Sequence, residues 1–84
     1  MSANTSAIFK ELLDALRELE SRQSADSNIQ ACENASVYLQ NALARKEPGH
    51  NFALFQRAVD DWLPTDEPFL TVVNGCARRL GRHA

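Results

Sequence analysis

Apolar residues recur along this chain with the spacing of an α-helix rather than the alternation of a strand. At about 100° per residue, Ile8, Phe9, Leu12, Leu13, Leu16 and Leu19 fall on one arc, and Lys10, Glu11, Asp14, Arg17 and Glu18 fall opposite. This predicts a first helix over about residues 5–22, opened by Asn4, Thr5 or Ser6 side chains that can accept its unpaired N–H groups. A polar stretch follows, in which Ser24, Asp26 and Ser27 are capping candidates and Ser27-x-x-Gln30 fits a capping box. The second helix is expected over about 28–46. Its inward arc holds Ile29, Cys32, Ala35, Ser36, Leu39, Ala42 and Leu43, with Tyr38 at the margin. Small residues on that arc let a neighbouring helix come within the usual ~8–10 Å.

Pro48-Gly49 reads as a stop, with Asn51 as the cap of a third helix over about 52–63. Phe52, Phe55, Val59, Trp62 and Leu63 share its buried side, while Gln56, Arg57, Asp60 and Asp61 point out. Pro64 ends it, and Thr65 is the expected cap of a fourth helix over about 66–80. Asp66 and Glu67 sit where the helix dipole favours negative charge, and Pro68 is tolerated because first-turn N–H groups lack partners anyway. Phe69, Val72, Val73, Cys76 and Leu80 line its inner face. Gly75, in mid-helix, implies a close helix crossing. Gly81 ends the helix, and Arg78, Arg79, Arg82 and His83 complement its negative end. The expected fold is all-α: one domain over residues 1–84, a compact bundle of about four amphipathic helices.

Composition narrows this picture further. Apolar residues make up 44% and charged residues 24%, enough for one thin core and against intrinsic disorder. Nine basic against 11 acidic residues give a net charge of -2, which argues against a nucleic-acid binder. Helices three and four read as a helix-turn-helix would present Asp66 and Glu67 to phosphate, which repels. No apolar run approaches the ~20 residues that span a bilayer, and the first residues lack a leader pattern. A soluble, cytoplasmic chain without membrane contact is therefore expected. Cys32 and Cys76 read as two reduced, buried thiols rather than a disulfide framework.

Signatures of catalysis are absent: no glycine-rich phosphate loop, no His-Glu-x-x-His, no Gly-x-Ser-x-Gly. His50 adjoins the Pro-Gly turn and His83 is penultimate, so neither is held as a general base. Cys32, Cys76, His50 and His83 lack the spacing of a zinc site. No catalytic residue, metal or cofactor is expected, and function is expected to lie in contact with another protein.

Two surfaces stand out for such contact. Asp60-Asp61-Trp62-Leu63-Pro64-Thr65-Asp66-Glu67-Pro68 places four carboxylates within eight residues, around the only tryptophan and two prolines. Each has an ordinary helical role, the acids at helix ends and Trp62 in the core. Taken together, Asp60, Asp61, Trp62, Asp66 and Glu67 form an acidic knob suited to a basic cleft on a partner. The outer face of the second helix is the other: Gln30, Asn34, Gln40 and Asn41 with Val37 and Ala44, a face that is cheap to desolvate.

The run Ala31-Cys32-Glu33-Asn34-Ala35-Ser36-Val37-Tyr38-Leu39, the later Asp66-Glu67-Pro68-Phe69-Leu70 and the closing Gly81 resemble the small helical immunity proteins of bacterial type VI secretion. The likeness covers positions 28–81. It implies a protein that binds and occludes a cognate toxin acting on cytoplasmic nucleotides, by hydrolysing NAD or by transferring pyrophosphate to adenosine nucleotides. The resemblance brings no interface residues with it. The competing expectation is a homodimeric helical adaptor or small regulator, with the first or second helix as its seam.

Overall fold

The apolar arcs fold onto one another as the sequence pattern requires. In a computed structural model that describes residues 3–22, 28–45 and 47–81, the chain forms α1 (Ala3–Ser21), α2 (Ile29–Arg45), α3 (Pro48–Trp62) and α4 (Glu67–Gly81). Among the described residues there is no strand. The fold is all-α. The capping candidates Ser24, Asp26 and Ser27, together with Lys46, Arg82 and His83, lie outside the described residues.

α1 supplies the largest share of the core: Ile8, Phe9, Leu12, Leu13, Ala15, Leu16 and Leu19 are all buried. It packs against α2 on one side and α4 on the other, and α2 packs in turn along α3. Phe9, Phe55 and Phe69 give one fully buried ring each to α1, α3 and α4, and Leu39 is the corresponding α2 side chain. Phe52 of α3 reaches α1, with its ring edge-on to Phe9 at 6.2 Å and stacked on Phe55 at 6.0 Å. The radius of gyration is 11.8 Å, which matches the ~12 Å expected of one folded body of this length. Ion pairs fix the direction of α4 against α1. Arg22, just past the end of α1, meets Asp66 before α4, while Glu11 meets Arg79 far along α4. The two helices are therefore antiparallel.

Caps set the starts of α2, α3 and α4, and each differs from the sequence expectation. Asn28 opens α2, its Oδ1 accepting the Ala31 N–H at 3.1 Å. α3 begins at Pro48, not after Asn51: Pro48 takes the first helical position, where a missing N–H costs nothing. Asn51 lies inside α3 and is buried, its Nδ2 donating to the Glu47 carbonyl at 3.0 Å. His50 accordingly sits exposed in the first turn of a helix. α4 is capped by Asp66, one residue after Thr65, through its Oδ1 and the Phe69 N–H at 2.9 Å.

Three further expectations are corrected. Ile29 and Leu63, placed on inward arcs by periodicity, are exposed. Ile29 is the first residue of α2 and Leu63 follows the last of α3, so the helical arc does not extend to either side chain. Gly75 is not at a close crossing, since a Cβ there would meet nothing within 4 Å. Cys32 and Cys76 are both buried and unpaired with one another, as their place on the inner arcs predicts.

Candidate functional site

Parts of the two surfaces singled out in the sequence, Gln30 and Asn34 of one and Asp61 and Trp62 of the other, meet in space. α2 and α3 run side by side, and the N-terminal half of α2 faces the C-terminal half of α3. Between them lies a groove of about 360 Å³. From α2 come Asn28, Gln30, Ala31, Asn34 and Tyr38. From α3 come Leu54, Arg57, Ala58, Asp61 and Trp62. Ala31 and Ala58 keep both walls low, so backbone-sized groups of a ligand could reach between the helices. The chain has one tryptophan and one tyrosine, and both border this groove with Arg57. Trp, Tyr and Arg are the residue types most enriched where protein interfaces concentrate their energy.

Trp62 is half-buried because its ring leans on Phe69 of α4, at 5.6 Å and 48° between planes. That contact fixes the indole from behind and leaves part of it at the groove. The amide wall is also pre-ordered: Gln30 Nε2 donates to Asn34 Oδ1 at 3.1 Å, one turn apart.

The five acidic-knob residues separate into two groups. Asp66 is engaged within the chain. One oxygen accepts the Phe69 N–H, and both oxygens accept from the Arg22 guanidinium, at 2.7 and 3.3 Å. The Phe69 N–H foremost holds its carboxyl below the usual range; burial opposes this, and the Arg22 hydrogen bond and charge add to the lowering. Asp66 thus ties α1 to the start of α4. Asp60, Asp61 and Glu67 are exposed and make no ion pair among the described residues. Asp61 and Trp62 line the groove, with Asp60 beside them in the chain and Glu67 at the start of α4. Sequence reasoning missed Asn28, Leu54 and Arg57 as groove residues, since only the antiparallel pairing of α2 and α3 brings them to one place.

A cluster that joins a nucleophile to charged groups lies elsewhere, on the α1–α4 seam. Cys76 Sγ donates to Glu11 Oε2 at 3.3 Å and accepts from Arg79 Nη2 at 3.2 Å, and Arg79 also pairs with Glu11. Burial foremost, then the Glu11 carboxylate, pushes the Cys76 thiol up to about 11. Cys32 is also raised, by burial and by Glu20. A nucleophilic cysteine needs the opposite environment, exposed and electropositive enough to release the proton. The Arg79 hydrogen bond foremost, then that from Cys76, lowers the Glu11 carboxyl, so the cluster acts as a polar latch between two helices. Among the described residues no three of His, Cys, Asp and Glu converge as metal ligands. Among the described residues no helix is long and apolar enough to cross a membrane.

No protein family, curated protein or solved structure matches this chain.

Proposed function

We propose that this chain is an immunity-type antagonist: it binds a cognate interbacterial toxin acting on cytoplasmic nucleotides, occludes the toxin's active site and performs no chemistry of its own. The observation that carries this reading is the α2–α3 groove, which gathers the only tryptophan, the only tyrosine, Arg57 and Asp61, while Asp60, Asp61 and Glu67 make no ion pair among the described residues. A cleft that holds nucleotide phosphates is basic, and an acidic edge fits it in sign. Asp60, Asp61 and Glu67 are the complementary charges, Trp62 the anchor, and Asp66 the residue that positions the start of α4. The resemblance of positions 28–81 to type VI immunity proteins points to the same class.

The test is a growth assay with a nucleotide-attacking toxin that co-purifies with this chain from its native cells. The wild-type chain rescues growth, whereas the triple variant Asp60→Lys, Asp61→Lys, Glu67→Lys fails to rescue while keeping its helical circular dichroism. Rescue by the variant equal to wild type would remove this assignment. A second reading, a homodimeric adaptor, draws support from Val37, which stands exposed on the amide face of α2. Light scattering that gives a stable dimer in the absence of toxin would favour it.

A further inference from the structure

The lining of the α2–α3 groove divides by depth. Its half-buried residues are apolar or aromatic: Ala31 and Tyr38 from α2, and Leu54, Ala58 and Trp62 from α3. Its exposed residues are all polar, with Gln30 and Asn34 on the α2 rim and Arg57 and Asp61 on the α3 rim. An apolar floor under a polar rim suits a ligand that is itself two-sided.

Neither rim serves the fold. Gln30 Nε2 donates to Asn34 Oδ1, which leaves the Gln30 side-chain oxygen and the Asn34 amide N–H groups without a further partner among the described residues. An acceptor and a donor held one turn apart are the complement of a main-chain N–H and C=O. On the other rim, Arg57 and Asp61 are four residues apart on one helix face, yet neither makes an ion pair among the described residues. Their order, base before acid, is the one that supports a helix least. Asp61 also lies in the last turn of α3, where the dipole disfavours it and no basic residue offsets it. α3 then ends at Leu63, in the left-handed region at φ 56° and ψ 54°, so its rim stops with Asp61 and Trp62.

Spacing selects the form of the ligand. Four residues of a helix rise about 6 Å. Two residues of an extended chain rise about 6.6–6.8 Å, and side chains two apart share a face. An acid and a base at positions i and i+2 of an extended segment thus match Arg57 and Asp61, and the residue between them points the other way, to the apolar floor. The segment's unpaired edge of N–H and C=O groups matches Gln30 and Asn34. A helix has no such edge, because its main-chain groups bond within it. The helices of a second copy are excluded on the same ground.

We infer that the groove holds an extended segment of the partner protein with an acid–apolar–base triplet. Main-chain hydrogen bonds to the amide rim give affinity, and the charged rim gives specificity. The inference deepens the antagonist reading and rests on it for the identity of the partner; its test is separate.

The probes are three short blocked peptides that differ in a central triplet: Glu-Leu-Arg, Arg-Leu-Arg and Glu-Leu-Glu. Binding is read from Trp62 emission and from amide chemical shifts, which register weak complexes. Wild type prefers the mixed peptide by about fivefold or more, because each of the others sets one charge against its own sign. The shifts centre on Gln30, Asn34, Ala58 and Trp62. Arg57→Glu turns the preference to Arg-Leu-Arg, and Asp61→Lys turns it to Glu-Leu-Glu. Both positions are exposed, so helical circular dichroism is kept. Serine in place of the central leucine weakens the mixed peptide by about fivefold or more, as loss of apolar burial does. Absence of binding, equal binding of the three peptides, shifts elsewhere on the surface, a preference that ignores the two variants, or indifference to the central serine would overturn the inference. Such a result with toxin rescue abolished by the triple lysine variant sinks this inference and spares the antagonist reading. Peptide selectivity that follows the charges, with rescue intact in the triple variant, does the reverse.

Discussion

Leu63 allows a sharp test of the backbone at the end of α3. A left-handed residue with a Cβ costs about 1–2 kcal/mol over the right-handed form. Glycine removes that cost but loses about 0.5–1 kcal/mol more chain entropy than alanine on folding. The Leu63 side chain is 76% exposed, so about a quarter of the ~1.5–3 kcal/mol of full leucine burial, roughly 0.4–0.7 kcal/mol, is at stake in truncation. Leu63→Ala forfeits that burial and keeps the backbone cost, which predicts a loss of about 0.5 kcal/mol. Leu63→Gly forfeits the same burial and escapes the backbone cost, so its net change lies within about 1 kcal/mol of zero. The comparison of the two variants cancels the packing and leaves glycine ahead by about 0.75 kcal/mol. At about 4–8 °C per kcal/mol for a domain of this size, thermal melts should separate them by about 3–6 °C, glycine higher. Alanine melting above glycine would refute the reasoning, because that order belongs to a right-handed helical residue.

Other expectations follow from the same geometry. Gly75→Ala should raise the melting temperature, by about 0.5–1 kcal/mol in stability, because a Cβ there meets nothing within 4 Å and the helix gains rigidity; a fall in melting temperature would show a crowded site. Asp66→Ala should lower the melting temperature more than Asp66→Asn, since asparagine still accepts the Phe69 N–H and loses only the charge facing Arg22. The Asp66 carboxyl is lowered in the fold, so its contribution is fully present above its ordinary value near 3.8 and fades as pH falls through the lower folded value; acid titration of stability should show a shallower limb in Asp66→Ala. Cys76 runs the other way: its thiol is raised to about 11, so the unfolded chain ionises first and stability falls as pH climbs from about 9 towards 11. At pH 8 its thiolate fraction is about a hundredfold below that of an ordinary thiol, so a disulfide reagent should label it in denaturant and leave it unlabelled in the native state.

Periodicity carried most of the fold. The buried faces of α1 and α4 are the apolar arcs themselves, Ile8 to Leu19 and Phe69 to Cys76. What it missed lies at helix ends, where the 100° increment stops applying. Pro48 has two meanings, a terminator for the helix before it and a favoured first residue for the helix after it. With only residues 46 and 47 between α2 and α3, the second meaning holds, and Asn51 becomes a buried interior residue. Leu63 was extrapolated one step beyond the last turn and so onto the wrong side. The acidic cluster was legible as a cluster, but the different tasks of its members were not. Asp66 finds Arg22 across 44 residues, a pairing set by how α1 and α4 align. The meeting of the α2 amide face with Trp62 likewise depends on antiparallel packing, which the pattern of a single helix cannot contain.

The most direct test of the proposed contact without chemistry is a titration of the purified chain into a nucleotide-attacking toxin that co-purifies with it from its native cells, with toxin turnover and complex mass read together. The account predicts that turnover falls to zero as a defined complex forms, and that the Asp60, Asp61, Glu67 triple lysine variant neither binds nor inhibits. A complex that leaves the toxin fully active, or inhibition undiminished in the triple variant, would contradict it.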